Sequence, residues 1–103
     1  MIKNFLFSVL ISSSLLIAEV IIDVRTPEEF QSARLNKAIN IEWQNILSIQ
    51  NNINKTEKIY LYCRSGNRSQ RATEILVDAG FVNVENLGSL QQASDTLNLK
   101  IIK

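Results

Sequence analysis

Apolar residues fall along this chain in short runs divided by stretches of helical spacing. Val20-Ile21-Ile22-Asp23-Val24 is apolar except for one carboxylate near its end, the pattern of a central strand covered on both faces. Thr26-Pro27-Glu28-Glu29 then starts a helix, with Thr26 as N-cap, Pro27 at the first helical position and Glu29 completing a capping box. Phe30 and Ala33 are expected to face the core. Ala38-Ile39-Asn40-Ile41 reads as a second short strand. Trp43, Ile46, Leu47 and Ile53 lie at helical spacing, which predicts a helix from Glu42 into Gln50, ahead of the Asn-rich turn Asn51 to Asn54. Lys58-Ile59-Tyr60-Leu61-Tyr62 is the next buried strand. Gln70 to Gly80 reads as a helix whose apolar face is Ala72, Ile75, Leu76 and Ala79, with Gly80 just past its end. Val82-Asn83-Val84 reads as a further strand, Leu87 to Leu90 as a turn into a last helix, and Leu97 to Ile102 as an apolar tail. Alternating strands and helices imply a small α/β domain with a mainly parallel central sheet flanked by helices.

The 103 residues suffice for one small domain. Eleven basic and ten acidic residues nearly cancel, which argues against a nucleic-acid or anionic-membrane surface but leaves room for a local positive site. Residues 1–18 read as a secretory signal peptide: Lys3 starts it, Phe5 to Ile17 is apolar, and Ala18 is a small residue at the cleavage point. Leu16, three residues before the cut, is larger than usual. An uncleaved anchor is the alternative, but a spanning helix needs about 20 apolar residues and Glu19 interrupts the run too early. The reading is therefore export, to the periplasm, of a domain covering residues 19–103 with no membrane attachment after cleavage. Its oligomeric state is left open.

The chain has no histidine and a single cysteine. A Cys-His pair and a histidine general base are thereby excluded, an internal disulfide is impossible, and neither metal nor cofactor is called for. The cysteine opens Cys63-Arg64-Ser65-Gly66-Asn67-Arg68-Ser69, between the Lys58 strand and the Gln70 helix. A strand-to-helix turn gathers positive potential, because the N–H groups of the first helical turn lack intrahelical partners. Such a cysteine ionises more easily than a free thiol. Lowering its pKa from about 8.5 to about 7 takes about 2 kcal/mol, which a helix end and a neighbouring guanidinium can supply. A lone cysteine is more often an inert core residue, but the polar residues that follow predict that Cys63 is not buried. Arg71 reads as a solvated surface charge, and Tyr62 as a residue able to line the pocket.

Cys63-x-x-Gly66-x-Arg68, the upstream Asp23-Val24-Arg25-Thr26-Pro27-Glu28-Glu29-Phe30 and Ala38-Ile39-Asn40-Ile41, in this order, resemble a rhodanese domain of the small single-domain exported type. The resemblance covers about Val20 to Leu90. It implies a thiosulfate sulfurtransferase in which Cys63 is the nucleophile and carries the sulfur as a persulfide. A small-molecule sulfur donor and a thiol acceptor are then the partners. Arg64, Ser65, Gly66, Asn67, Arg68 and Ser69 would bind substrate, their backbone N–H groups cradling the persulfide. Asp23 and Arg25 match the family's structural-electrostatic pair, and Asp23 reads equally as a structural or a catalytic carboxylate. Where the family often has His-Ile-x-Gly-Ala, this chain has Arg34-Leu35-Asn36-Lys37-Ala38. Related phosphatases resemble Cys-x5-Arg, a wider loop; the tighter loop here suits a single sulfur atom. A non-enzymatic persulfide carrier or redox-sensing module is the alternative. Sequencing the N-terminus of the exported protein is expected to begin at Glu19; a chain still starting at Met1 would reject cleavage.

Overall fold

The structure, a computed structural model, describes residues 19–103, so the proposed signal peptide lies outside the described residues. The elements are β1 (Glu19–Asp23), α1 (Pro27–Ser32), β2 (Arg34–Leu35), β3 (Ile39–Asn40), a 3₁₀ helix (Trp43–Asn51), β4 (Lys58–Cys63), α2 (Asn67–Asp78), β5 (Val84–Ser89), α3 (Leu90–Leu97) and β6 (Ile101–Ile102). The central sheet runs β3-β1-β4-β5 with every pairing parallel. The α/β architecture expected from the pattern is therefore the architecture found.

Strand periodicity divides the core. Successive side chains of a strand point to opposite faces, so Ile22, Ile59, Leu61 and Cys63 join Ile46, Ile49, Ala72, Leu76 and Phe81 on one side. Ile21 and Tyr62 join Leu35, Leu87 and Ala93 on the other. The 3₁₀ helix and α2 thus cover one face, and α3 with β2 covers the second. Strands β1 and β4, interior and buried on both sides, need the near-continuous apolar runs they have.

Several boundaries differ from the pattern, each for a local reason. Trp43, Ile46 and Ile49 recur every third residue, the period of a 3₁₀ helix, so Ile49 is buried and Leu47 is left 41% exposed. Helix α1 carries the expected capping box, but none of its residues is buried; Phe30 instead lies under the Arg34 guanidinium, 5.3 Å from its ring centre. The strand placed at Val82 begins at Val84, because Val82 is 75% exposed and its N–H bonds the Lys55 carbonyl outside the sheet. Leu87 to Ser89 complete β5 rather than a turn. Arg34–Leu35, assigned no element from the pattern, and Ile101–Ile102, read as part of an apolar tail, pair antiparallel as a two-stranded ribbon.

Tyr62 is fully buried and does not line a pocket. Its hydroxyl accepts the Leu35 N–H at 3.0 Å, fastening the ribbon to the central sheet. Burial, with the Asp23 carboxylate alongside, raises the phenol far above its ordinary pKa, so it stays protonated. Tyr62→Phe leaves a buried N–H unpaired, and chemical denaturation is expected to show a loss of about 1–3 kcal/mol.

Candidate active site

In a parallel sheet the carboxyl ends of the strands share one edge, and ligands bind there. Asp23, Cys63 and Ser89 end β1, β4 and β5. Helix α2 starts three residues before the predicted Gln70, so Asn67, Arg68 and Ser69 are its first turn and the connection shrinks to Arg64, Ser65 and Gly66. Gly66 is the N-cap with φ of 100°, a left-handed conformation that suits glycine. This turn brings the helix's unpaired N–H groups back onto the strand's last side chain.

Cys63 is fully buried, contrary to the expectation from its polar neighbours. Its sulfur is nonetheless no inert core atom. The Gly66 N–H reaches it at 3.0 Å and the Ser69 N–H at 3.4 Å, with the Ser69 hydroxyl at 3.3 Å. Burial alone would raise the thiol's pKa. The Ser69 hydroxyl and the N–H groups of Ser69, Ser65 and Gly66 outweigh it, and the net shift is downward. A buried sulfur ringed by donors is a pre-formed site for negative charge.

The remaining loop residues divide. Ser65 and Asn67 are exposed, Ser65 contributing its backbone to the sulfur's surroundings. Arg64 is exposed and lines an open hollow of about 440 Å³ with Arg25, Glu28, Glu29, Ser32 and Ala33. Arg68 has a partner within the protein. Its guanidinium makes paired bonds of 2.8 and 3.0 Å to the Glu29 carboxylate, tying the first turn of α2 to α1. Those bonds, ahead of the opposing effect of burial, hold Glu29 down from 4.5 to about 2. Arg68 remains near enough for a charge on Cys63 to be felt at its guanidinium.

Asp23 and Arg25 form a buried pair. Arg25 Nη2 lies 2.7 Å from Asp23 Oδ2, its Nε bonds both carboxylate oxygens, and its backbone N–H adds a bond of 2.9 Å. The same guanidinium bonds the Ala33 carbonyl and lies 5.7 Å from the Tyr62 ring centre. With both oxygens occupied from within, the carboxylate holds in place the Arg25 side chain that lines the hollow. Arg71 is exposed, its guanidinium 5.4 Å from the Trp43 ring centre.

Two site residues escaped the sequence reading. Glu29 was legible only as a capping residue, although Arg68 also binds it. Asn86 was not singled out. Its Oδ1 lies 2.6 Å from the Ser69 hydroxyl and its Nδ2 bonds the Gly66 carbonyl at 3.1 Å. An asparagine inside a strand, where that residue is depleted, was the available signal.

A family model described as "Rhodanese-like domain" matches residues 11–94. Thiosulfate sulfurtransferase PspE of Escherichia coli K12 is 38% identical over 76 residues, covering 72% of this chain and 73% of that protein. Adenylyltransferase and sulfurtransferase UBA4 of Meyerozyma guilliermondii is 40% identical over 76 residues, covering 66% of this chain. The chain spans about a fifth of the length of the UBA4 relatives it matches. Among solved structures, a rhodanese with anions from E. coli superposes with a TM-score of 0.73 at 33% identity, covering 84% of this chain and 99% of that one.

The depressed Glu29 pKa fixes the sign of one pH effect. Stability from the Glu29–Arg68 bridge is present above about pH 4.5 and lost as pH falls towards 2. Glu29→Gln is expected to cost about 1 kcal/mol at pH 7, since the pair is partly exposed. The gap from the unsubstituted protein, followed by denaturant unfolding, should close towards pH 2.

Proposed function

Because the chain belongs to the rhodanese-like domain family of sulfurtransferases, we propose that it takes a sulfane sulfur from thiosulfate onto Cys63 and passes it to a thiol or another thiophilic acceptor. The observation that carries this reading is the convergence of the Gly66 and Ser69 N–H groups on the Cys63 sulfur, at 3.0 and 3.4 Å. Those donors favour a thiolate without a general base, which suits a chain lacking histidine.

The thiolate attacks the outer sulfur of thiosulfate. A bond forms between the Cys63 sulfur and that atom, while the sulfur–sulfur bond of thiosulfate breaks and its electron pair leaves with sulfite. The single negative charge of the thiolate is retained on the outer sulfur of the persulfide, and no proton is consumed. An acceptor thiolate then attacks that outer sulfur, and Cys63 leaves as thiolate. Donors around the sulfur ease its departure in the second half as they ease its ionisation in the first. Arg64, exposed beside the hollow, supplies a mobile cation for the dianionic donor and the sulfite product. Arg25 is committed to Asp23, and Arg68 to Glu29.

Steady-state turnover of thiosulfate with cyanide tests the proposal. Cys63→Ser is expected to abolish turnover while circular dichroism stays unchanged, and retained activity would reject Cys63 as carrier. Arg64→Ala should raise the KM for thiosulfate roughly five- to tenfold, the loss of about 1 kcal/mol of charge-assisted binding. A change confined to cyanide kinetics would reject that role. A persulfide that forms with negligible turnover would identify a carrier module instead of an enzyme.

A further inference from the structure

We propose that the Ser69 hydroxyl alternates between two acceptors, Asn86 Oδ1 and the Cys63 sulfur, making Asn86 a positioning residue for sulfur transfer. A hydroxyl has one proton to give. Three acceptors surround that of Ser69: Asn86 Oδ1 at 2.6 Å, the Gly66 carbonyl at 3.2 Å and the Cys63 sulfur at 3.3 Å. Only one can hold the proton at a time.

The orientation of the Asn86 amide is fixed from both sides. Its Oδ1 also accepts the Gly88 N–H at 2.9 Å, a group that can only donate, and its Nδ2 bonds the Gly66 carbonyl, which can only accept. Asn86 pairs with Leu61 at the last position before the register shift between β4 and β5, and Leu61 packs on the same face of the sheet as Cys63 and Ala72. The Gly66 carbonyl already accepts two N–H donors, from Gln70 at 2.9 Å and from Asn86 Nδ2, whereas Asn86 Oδ1 accepts one and keeps a lone pair as the standing rival to the sulfur.

This inference rests on the persulfide reading and adds a requirement to it. When Cys63 is a thiolate, a charge-assisted bond draws the hydroxyl to the sulfur. Once a second sulfur is attached, the charge sits on the outer atom and the inner sulfur needs no donor. The buried Ser69 hydroxyl would then lack a partner, and Asn86 Oδ1 provides one. The proton never leaves Ser69; only its acceptor changes. Asn86 thereby favours the loaded over the empty state.

The experiment titrates the thiolate by its ultraviolet absorbance in the unsubstituted protein, Ser69→Ala, Asn86→Ala and the double variant. With a single cysteine, the thiolate signal has one source. The charged side chain whose interaction with Cys63 is resolved, Arg68 on α2, is the same in all four. Loss of the hydroxyl should raise the Cys63 pKa by less than about half a unit when Asn86 is present, and by about one unit when it is Ala. A merely structural Asn86 gives an equal or smaller shift in the Ala background, and that result would overturn the proposal. Asn86→Asp offers a second background if Asn86→Ala does not fold. Its carboxylate holds the hydroxyl more firmly, so Ser69→Ala should then shift the pKa hardly at all, and a full one-unit shift there would also overturn it. Intact mass at a fixed thiosulfate-to-sulfite ratio supplies the independent arm. Asn86→Ala should lower persulfide loading several-fold, and unchanged loading counts against the proposal. An unsubstituted protein that never loads would instead overturn the persulfide reading, leaving the titration to decide the hydrogen-bond exchange by itself.

Discussion

A buried sulfur atom facing the first turn of a helix is the constraint on which this structure depends. Removing Cys63 from water penalises its anion, and the Gly66 and Ser69 donors reverse that penalty. Neither half suffices alone. An exposed thiolate would be solvated and less reactive, and a buried thiol without donors would stay protonated. The strand must therefore end at the cysteine, and the helix must begin close behind it. Gly66, at φ of 100°, makes so short a connection possible.

The rest of the fold holds that junction in place. Asp23 and Arg25 satisfy each other at the end of β1, beside Tyr62, and the Arg25 guanidinium reaches on to Ala33 at the end of α1. Glu29 serves two partners, capping α1 through Thr26 and gripping α2 through Arg68. Asn86 reaches across from β5 to both ends of the turn, Gly66 and Ser69. An ion pair from α1 and hydrogen bonds from β5 thus converge on one short loop, while Arg64 alone among its arginines is left free of a carboxylate partner among the described residues.

What could be read from the chain, and what could not, follows from the range of the interactions. Thr26, Pro27 and Glu29 announce a helix start through contacts within four residues, and the structure has that start. The apolar runs of β1 and β4 are equally local signals. The β2–β6 ribbon was invisible because it joins residues far apart in sequence through only two pairs, with no periodicity long enough to register. The helix after Glu42 was legible but its 3₁₀ form was not, because periods of three and 3.6 diverge by less than a residue over one turn. At the site, the cysteine and its glycine were legible from the turn they make. The engagement of Arg68 by Glu29, 39 residues away, was not, and it gives Arg68 a role in joining α2 to α1.

The central claim is that the ring of amides makes one buried sulfur the carrier of another. Intact-mass measurement of the protein before thiosulfate, after thiosulfate and after subsequent cyanide tests it most directly. The account predicts a gain of one sulfur atom, located at Cys63, and its complete loss to cyanide. A mass unchanged by thiosulfate, or an added sulfur that persists when Cys63 is replaced by Ser, would contradict it.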